Sequence, residues 1–140
     1  MSEELFHFID GARVKGTGGR FGNVNNPATG EVTKQVPLAS ADEVRGAIAS
    51  AAKALPAWAA TPPAKRAQVM FNFRDQIRSH MDELAELLSS EHGKTVEDAK
   101  GSISRGLEVA EFACGIPQVL KGEYSEGVAN GVDSYGVRQP

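Results

Sequence analysis

The spacing of apolar positions changes near residue 40, and the change divides the chain. Val44, Ile48, Ala51, Leu55 and Trp58 follow at steps of four, three, four and three, one stripe of an amphipathic helix. Ser40-Ala41-Asp42-Glu43 reads as its start, because Ser40 can accept from the Glu43 amide while the Glu43 side chain reaches back. Pro56 should kink or weaken its last turn. Thr61-Pro62 then offers a new N-cap with proline at the first helical position. Met70, Phe73, Ile77, Met81, Leu84 and Leu88 extend one stripe, predicting a single helix over 62–92 with Gly93 as C-cap. At ~1.5 Å per residue that helix is roughly 45 Å long. A third helix starts at Thr95, paired with Asp98 in a weaker capping box, and ends near Cys114 or Ile116, where Gly115 and Pro117 stop it.

Before residue 39 the pattern is different. Gly11, Gly16, Gly18, Gly19, Gly22 and Gly30, with Pro27 and Pro37, exclude long helices. Residues 5–9 and 12–14 predict two strands joined at Asp10-Gly11, a hairpin turn that glycine makes accessible. A second turn falls at Asn26-Pro27-Ala28-Thr29-Gly30, before the alternating run 31–36. After Lys121-Gly122 the pattern predicts a loop, then a strand over 132–139. The expected fold is therefore mixed α/β: strands and hairpins over 1–38, three helices over 39–120, and a loop and final strand over 121–140.

Composition narrows the function classes. The 140 residues are 41% hydrophobic and 24% charged, with 15 Lys+Arg against 18 Asp+Glu. That mildly acidic balance, without a Lys/Arg cluster, argues against a nucleic-acid partner. No apolar run approaches the ~20 residues of a membrane span, and the start lacks the basic character of a targeting peptide. One cysteine fits a reducing, cytoplasmic setting. One Cys and three scattered His make no recognisable metal site.

Two glycine motifs suggest phosphate loops and fail. Gly16-Thr17-Gly18-Gly19-Arg20-Phe21-Gly22 has Phe21 where a dinucleotide loop needs its third glycine, and no helix follows. It reads as a mobile turn between strands. Gly93-Lys94-Thr95 resembles the end of a P-loop, but Leu88 occupies the first glycine position and a helix precedes it. His7, His80 and His92 lack an obvious catalytic partner. Cys114 shares a stripe with Ile103, Leu107 and Ala110 and reads as core.

Arg105 does not fit so easily. It heads a second apolar face with Val109, Phe112 and Ile116, so partial burial and a partner are expected. That partner is either Glu108, three residues on, or an anionic ligand matching the planar guanidinium. Spacing alone favours the ion pair. Gly101, Ser102, Ser104 and Gly106 leave room for another element or a ligand to come close.

Asn26-Pro27-Ala28-Thr29-Gly30-Glu31-Val32, Ala57-Trp58, Lys65-Arg66-Ala67 and Glu91-His92-Gly93-Lys94-Thr95 stand in the order found in aldehyde dehydrogenases. The run 105–117, then Leu120-Lys121-Gly122-Glu123-Tyr124-Ser125, Asp133-Ser134-Tyr135 and Arg138-Gln139-Pro140, resembles the CoA-acylating, methylmalonate-semialdehyde branch of that family. The resemblance covers essentially the whole chain but only the amino-terminal part of such proteins, which are more than three times longer. It implies oxidation of malonate or methylmalonate semialdehyde to acetyl-CoA or propanoyl-CoA with release of carbon dioxide, using NAD and CoA. It gives Arg105 the role of holding the substrate carboxylate, and gives Lys94 no catalytic role. The family's catalytic cysteine and NAD region correspond to sequence beyond residue 140. This chain by itself is therefore expected to hold no catalytic residue, to bind neither cofactor and to be inactive. The expected partners are the remainder of a dehydrogenase subunit and, as in the family, further copies in a homo-oligomer. The alternative is a small non-catalytic binding or structural module derived from an aldehyde dehydrogenase.

Overall fold

The computed structural model describes residues 3–139; Met1, Ser2 and the motif residue Pro140 lie outside it. Strands β1 (Glu3–Glu4), β2 (His7–Ile9), β3 (Ala12–Val14), β4 (Arg20–Asn25) and β5 (Val32–Leu38) come first. Helices α1 (Ala41–Ala60), α2 (Pro63–Ser79), α3 (Met81–His92), α4 (Val96–Cys114) and the single turn α5 (Ile116–Val119) follow, then strands β6 (Glu123–Ala129) and β7 (Val132–Gly136). The class is mixed α/β, as the pattern predicts.

The strands form one three-stranded sheet, β1-β5-β4, and two hairpins, β2-β3 and β6-β7. Asp10 and Gly11 both adopt positive φ, 53° and 74°, the type I′ turn that matches strand twist. Residues 5 and 6, expected within the first strand, instead connect β1 to β2, and the Leu5 amide donates to the Gln35 carbonyl at 2.8 Å. The glycine-rich stretch is only partly a turn. From Arg20 it becomes β4, antiparallel to β5 with Phe21 opposite Pro37. A Cβ on Gly16 would strike the Pro37 side chain, and one on Gly18 would lie 2.7 Å from the Leu38 carbonyl oxygen. Close approach to the end of β5 requires these glycines.

The same loop meets the start of α1. Ser40 accepts from the Glu43 amide at 3.2 Å, and a Glu43 carboxylate oxygen accepts from the Ser40 amide at 2.7 Å, completing the capping box. The other Glu43 oxygen accepts from the Thr17 amide at 2.6 Å. Hydrogen bonds from the Ser40 and Thr17 amides hold the Glu43 carboxyl down to about 2. Helix α1 runs on through Pro56 to Ala60.

Three helices were expected over 39–120, but the long one is divided. His80 separates α2 from α3, with φ −111° and ψ 21°. Ser79 Oγ donates to the Gln76 carbonyl at 3.1 Å, and His80 Nδ1 lies 2.9 Å from the same oxygen. The His80 amide keeps its ladder bond to that oxygen at 3.1 Å, so the two side chains add to it, and the break involves neither glycine nor proline. Thr61 does not cap α2, which begins at Pro63. Its hydroxyl donates to the Ala57 carbonyl at 2.9 Å and closes α1. Pro117 lies inside α5 rather than merely ending α4. The expected loop after Gly122 is strand β6, and the final strand stops at Gly136 rather than reaching 139. Asp133 fastens this hairpin by accepting from Tyr124 Oη at 2.8 Å and the Gly127 amide at 2.9 Å.

Helix α4 packs against both α2 and α3. The buried apolar side chains are small: Ala67, Ala85, Ala99, Ala110 and Cys114. Lys34 on β5 bonds Glu91 on α3 at 3.0 Å, linking sheet and helices. Beside that bond, Gly93 caps α3 with φ 82° and lies against Pro27, whose Cγ would sit 2.9 Å from an added Cβ. Two of the family motifs thus meet in space.

Candidate functional site at the start of helix α4

The sequence builds this site in one run. Gly93 ends α3 in the left-handed conformation that frees the chain to turn. Thr95 then caps α4, its Oγ1 accepting from the Asp98 amide at 3.2 Å. Residues 94, 98, 102 and 105 follow at steps of four, four and three, which stack along one side of a helix.

Their side chains meet. Lys94 Nζ lies 2.9 Å from an Asp98 carboxylate oxygen and donates to Ser102 Oγ at 2.7 Å. Arg105 Nη2 donates to the same Ser102 oxygen at 3.2 Å. The Lys94 side chain retains only 17% of its exposure. Its hydrogen bond and charge hold the Asp98 carboxyl below the usual carboxylate range. Arg105 Nη1 lies 3.9 Å from where a Gly101 Cβ would stand, so the guanidinium folds over the Gly101 turn at ordinary contact distance.

Two expectations about Arg105 are corrected. The residue is exposed, not partly buried, because its face of α4 carries no covering element among the described residues. Val109 and Phe112 on that face are 68% and 67% exposed. Nor does Glu108 pair with it; the guanidinium folds back towards Ser102 on the preceding turn. Arg105 therefore forms no ion pair among the described residues, whereas the neighbouring Lys94 is matched by Asp98. A guanidinium offers five donors in a planar fork, and a carboxylate accepts two in parallel.

The other candidates stay structural. Cys114 is buried, and its thiol donates to the Ala110 carbonyl at 3.3 Å. His80 serves the break between α2 and α3. Among the described residues no cluster of His, Cys, Asp and Glu could hold a metal, and no helix is long and apolar enough to cross a membrane. The Thr17 amide is already given to the Glu43 carboxylate, and Gly93 is pressed against Pro27.

The sequence marks Arg105 and, beside it, Ser102 as a small residue that leaves room, but it does not mark Lys94 and Asp98 as their partners. The signal was present in their spacing. It is hidden because Lys94 precedes the helix and appears at first as part of a glycine motif.

The model of the aldehyde dehydrogenase family matches residues 14–140. Malonate-semialdehyde dehydrogenase of Pseudomonas aeruginosa is 46% identical over 136 residues, covering 97% of this chain and 27% of the relative. The acylating methylmalonate-semialdehyde dehydrogenase of Arabidopsis thaliana mitochondria is 44% identical, covering 100% of this chain and 23% of the relative. The crystal structure of methylmalonate-semialdehyde dehydrogenase from Oceanimonas doudoroffii superposes with a TM-score of 0.94 at 47% identity, covering 100% of this chain and 28% of that one. A Sinorhizobium meliloti structure assigned to the same enzyme, and containing NAD, gives 0.96 at 55% identity, with the same coverage. The chain thus spans about a quarter of the length of the relatives it matches. Its strands and helices are those of the amino-terminal part of such structures, and the chain belongs to the aldehyde dehydrogenase family.

Proposed function

We propose that residues 1–140 act as the amino-terminal segment of a dehydrogenase subunit that converts malonate or methylmalonate semialdehyde to acetyl-CoA or propanoyl-CoA, with release of carbon dioxide. NAD and CoA serve the whole enzyme, and the residues that hold them belong to the remainder of the subunit. The subunit works in the cytoplasm as a homo-oligomer. Within it, this segment orients the substrate: Arg105 holds the carboxylate that distinguishes these semialdehydes from simple aldehydes. The observation that carries this reading is a guanidinium steadied by Ser102 and left without an anion, in a chain whose relatives bear malonate-semialdehyde and methylmalonate-semialdehyde names. The fully exposed β6-β7 hairpin, with Tyr124 and Tyr135 outward, supports contact with another part of the subunit or a second copy.

A graft tests the proposal. Residues 1–140 replace the matching stretch of the Pseudomonas aeruginosa enzyme, and kcat/KM is measured for malonate semialdehyde and for propanal. The graft should keep its parent's preference for the carboxylated aldehyde. A folded graft that oxidises propanal normally but has lost that preference would remove the substrate-orienting role.

A further inference from the structure

We propose that Ser102, held by Lys94, is a positioning residue that fixes the Arg105 guanidinium for the substrate carboxylate. This rests on Arg105 being the carboxylate holder. A serine hydroxyl has two acceptor lone pairs. Lys94 Nζ donates to Ser102 Oγ at 2.7 Å and Arg105 Nη2 at 3.2 Å, so two cations share one oxygen. Two positive groups beside one neutral atom repel each other unless one is matched. Asp98 supplies that match by direct contact with Lys94 at 2.9 Å, and among the described residues it makes no ion-pair contact with Arg105. The consequence is an ordered pair of roles. Lys94 is neutralised, largely covered and fixed, and its donated hydrogen commits one Ser102 lone pair. The other lone pair faces Arg105.

A long exposed arginine otherwise samples many rotamers, and that freedom is lost on binding. Here one of its donors is already engaged before substrate arrives, while the others remain for a carboxylate. Preorganisation of this kind lowers the entropy cost of binding without adding a contact to the ligand. The effect belongs in KM for the carboxylated aldehyde and is absent for an aldehyde that never meets Arg105.

The test uses the Pseudomonas aeruginosa graft with Ser102→Ala, Ser102→Thr and Arg105→Leu. Alanine is the better helix former, so Ser102→Ala should fold, and thermal melting checks this. Ser102→Ala is expected to raise KM for malonate semialdehyde about three- to tenfold, with kcat and the kinetics of propanal unchanged. Ser102→Thr keeps the hydroxyl and should restore the original KM. If Ser102→Ala matches the unmodified graft, or if both aldehydes decline together, the positioning role is overturned. Arg105→Leu separates the two readings. Loss with Arg105→Leu but not with Ser102→Ala removes only the positioning role; no loss with either removes the carboxylate site itself.

Discussion

Replacing Arg105 by leucine in the graft should lower kcat/KM for malonate semialdehyde by about ten- to hundredfold and leave propanal nearly unchanged. Leucine keeps the helix, and the position is exposed beside Val109, so folding has no reason to fail. The loss is a charge-assisted, two-pronged grip, typically ~1.5–3 kcal/mol for a hydrogen bond to a charged group. Each 1.4 kcal/mol is about tenfold, which sets the range. The ion pair with Glu108 that spacing suggested would make a different pattern, with Glu108→Gln reproducing the arginine variant and both aldehydes affected alike. The geometry already sends the guanidinium to Ser102 instead. Steady-state kinetics of both variants on both aldehydes checks the prediction, and equal losses on the two substrates would return Arg105 to a structural role.

The second large effect concerns residues 1–140 on their own. With NAD, CoA and malonate semialdehyde they should yield no NADH, because Cys114 is buried against Ala110, the Thr17 amide is given to Glu43, and Gly93 is closed off by Pro27. The same preparation should bind an apolar dye strongly and self-associate. Phe73, Ile77, Leu84, Leu88 and Ile103 line an open groove of about 480 Å³ between the helices. Val109 and Phe112 add a second face, and α1 buries none of its residues, leaving Ile48, Leu55 and Trp58 exposed. Contiguous apolar surface on this scale is rare on solvated monomers. Measured NADH production free of contaminating enzyme would refute the catalytic half. A monodisperse monomer that ignores the dye and unfolds cooperatively would refute the other.

These surfaces also show what the sequence could convey. Helix α1 and its Ser40–Glu43 cap were legible because both the stripe and the box are local patterns. So was the Asp10-Gly11 hairpin, whose positive φ angles are a property of two adjacent residues. The break at His80 was not legible. Ile77 and Met81 continue the apolar stripe across it, and His80 leaves helical geometry with no glycine or proline to mark the place. Strand β6 was missed because its seven residues bury nothing; pairing with β7 and the two bonds to Asp133 make it a strand, without an alternating core face. The site divides in the same way. Arg105 is conspicuous as a charge among apolar positions, yet inferring burial from that face presumed a covering element. Ser102 stands out in the sequence only as a small neighbour; its bond to Lys94 exists because the turn at Gly93 places Lys94 over the first turns of α4.

One equilibrium measurement that involves no chemistry tests the role of Arg105 most directly. Calorimetry gives Kd for 3-hydroxypropanoate, which keeps the substrate's carboxylate but has no aldehyde, in the graft with Arg105 intact and with Arg105→Leu. Loss of the carboxylate grip predicts at least about tenfold weaker binding in the leucine variant, since 1.4 kcal/mol corresponds to a factor of ten. Equal Kd values in two folded proteins would contradict it.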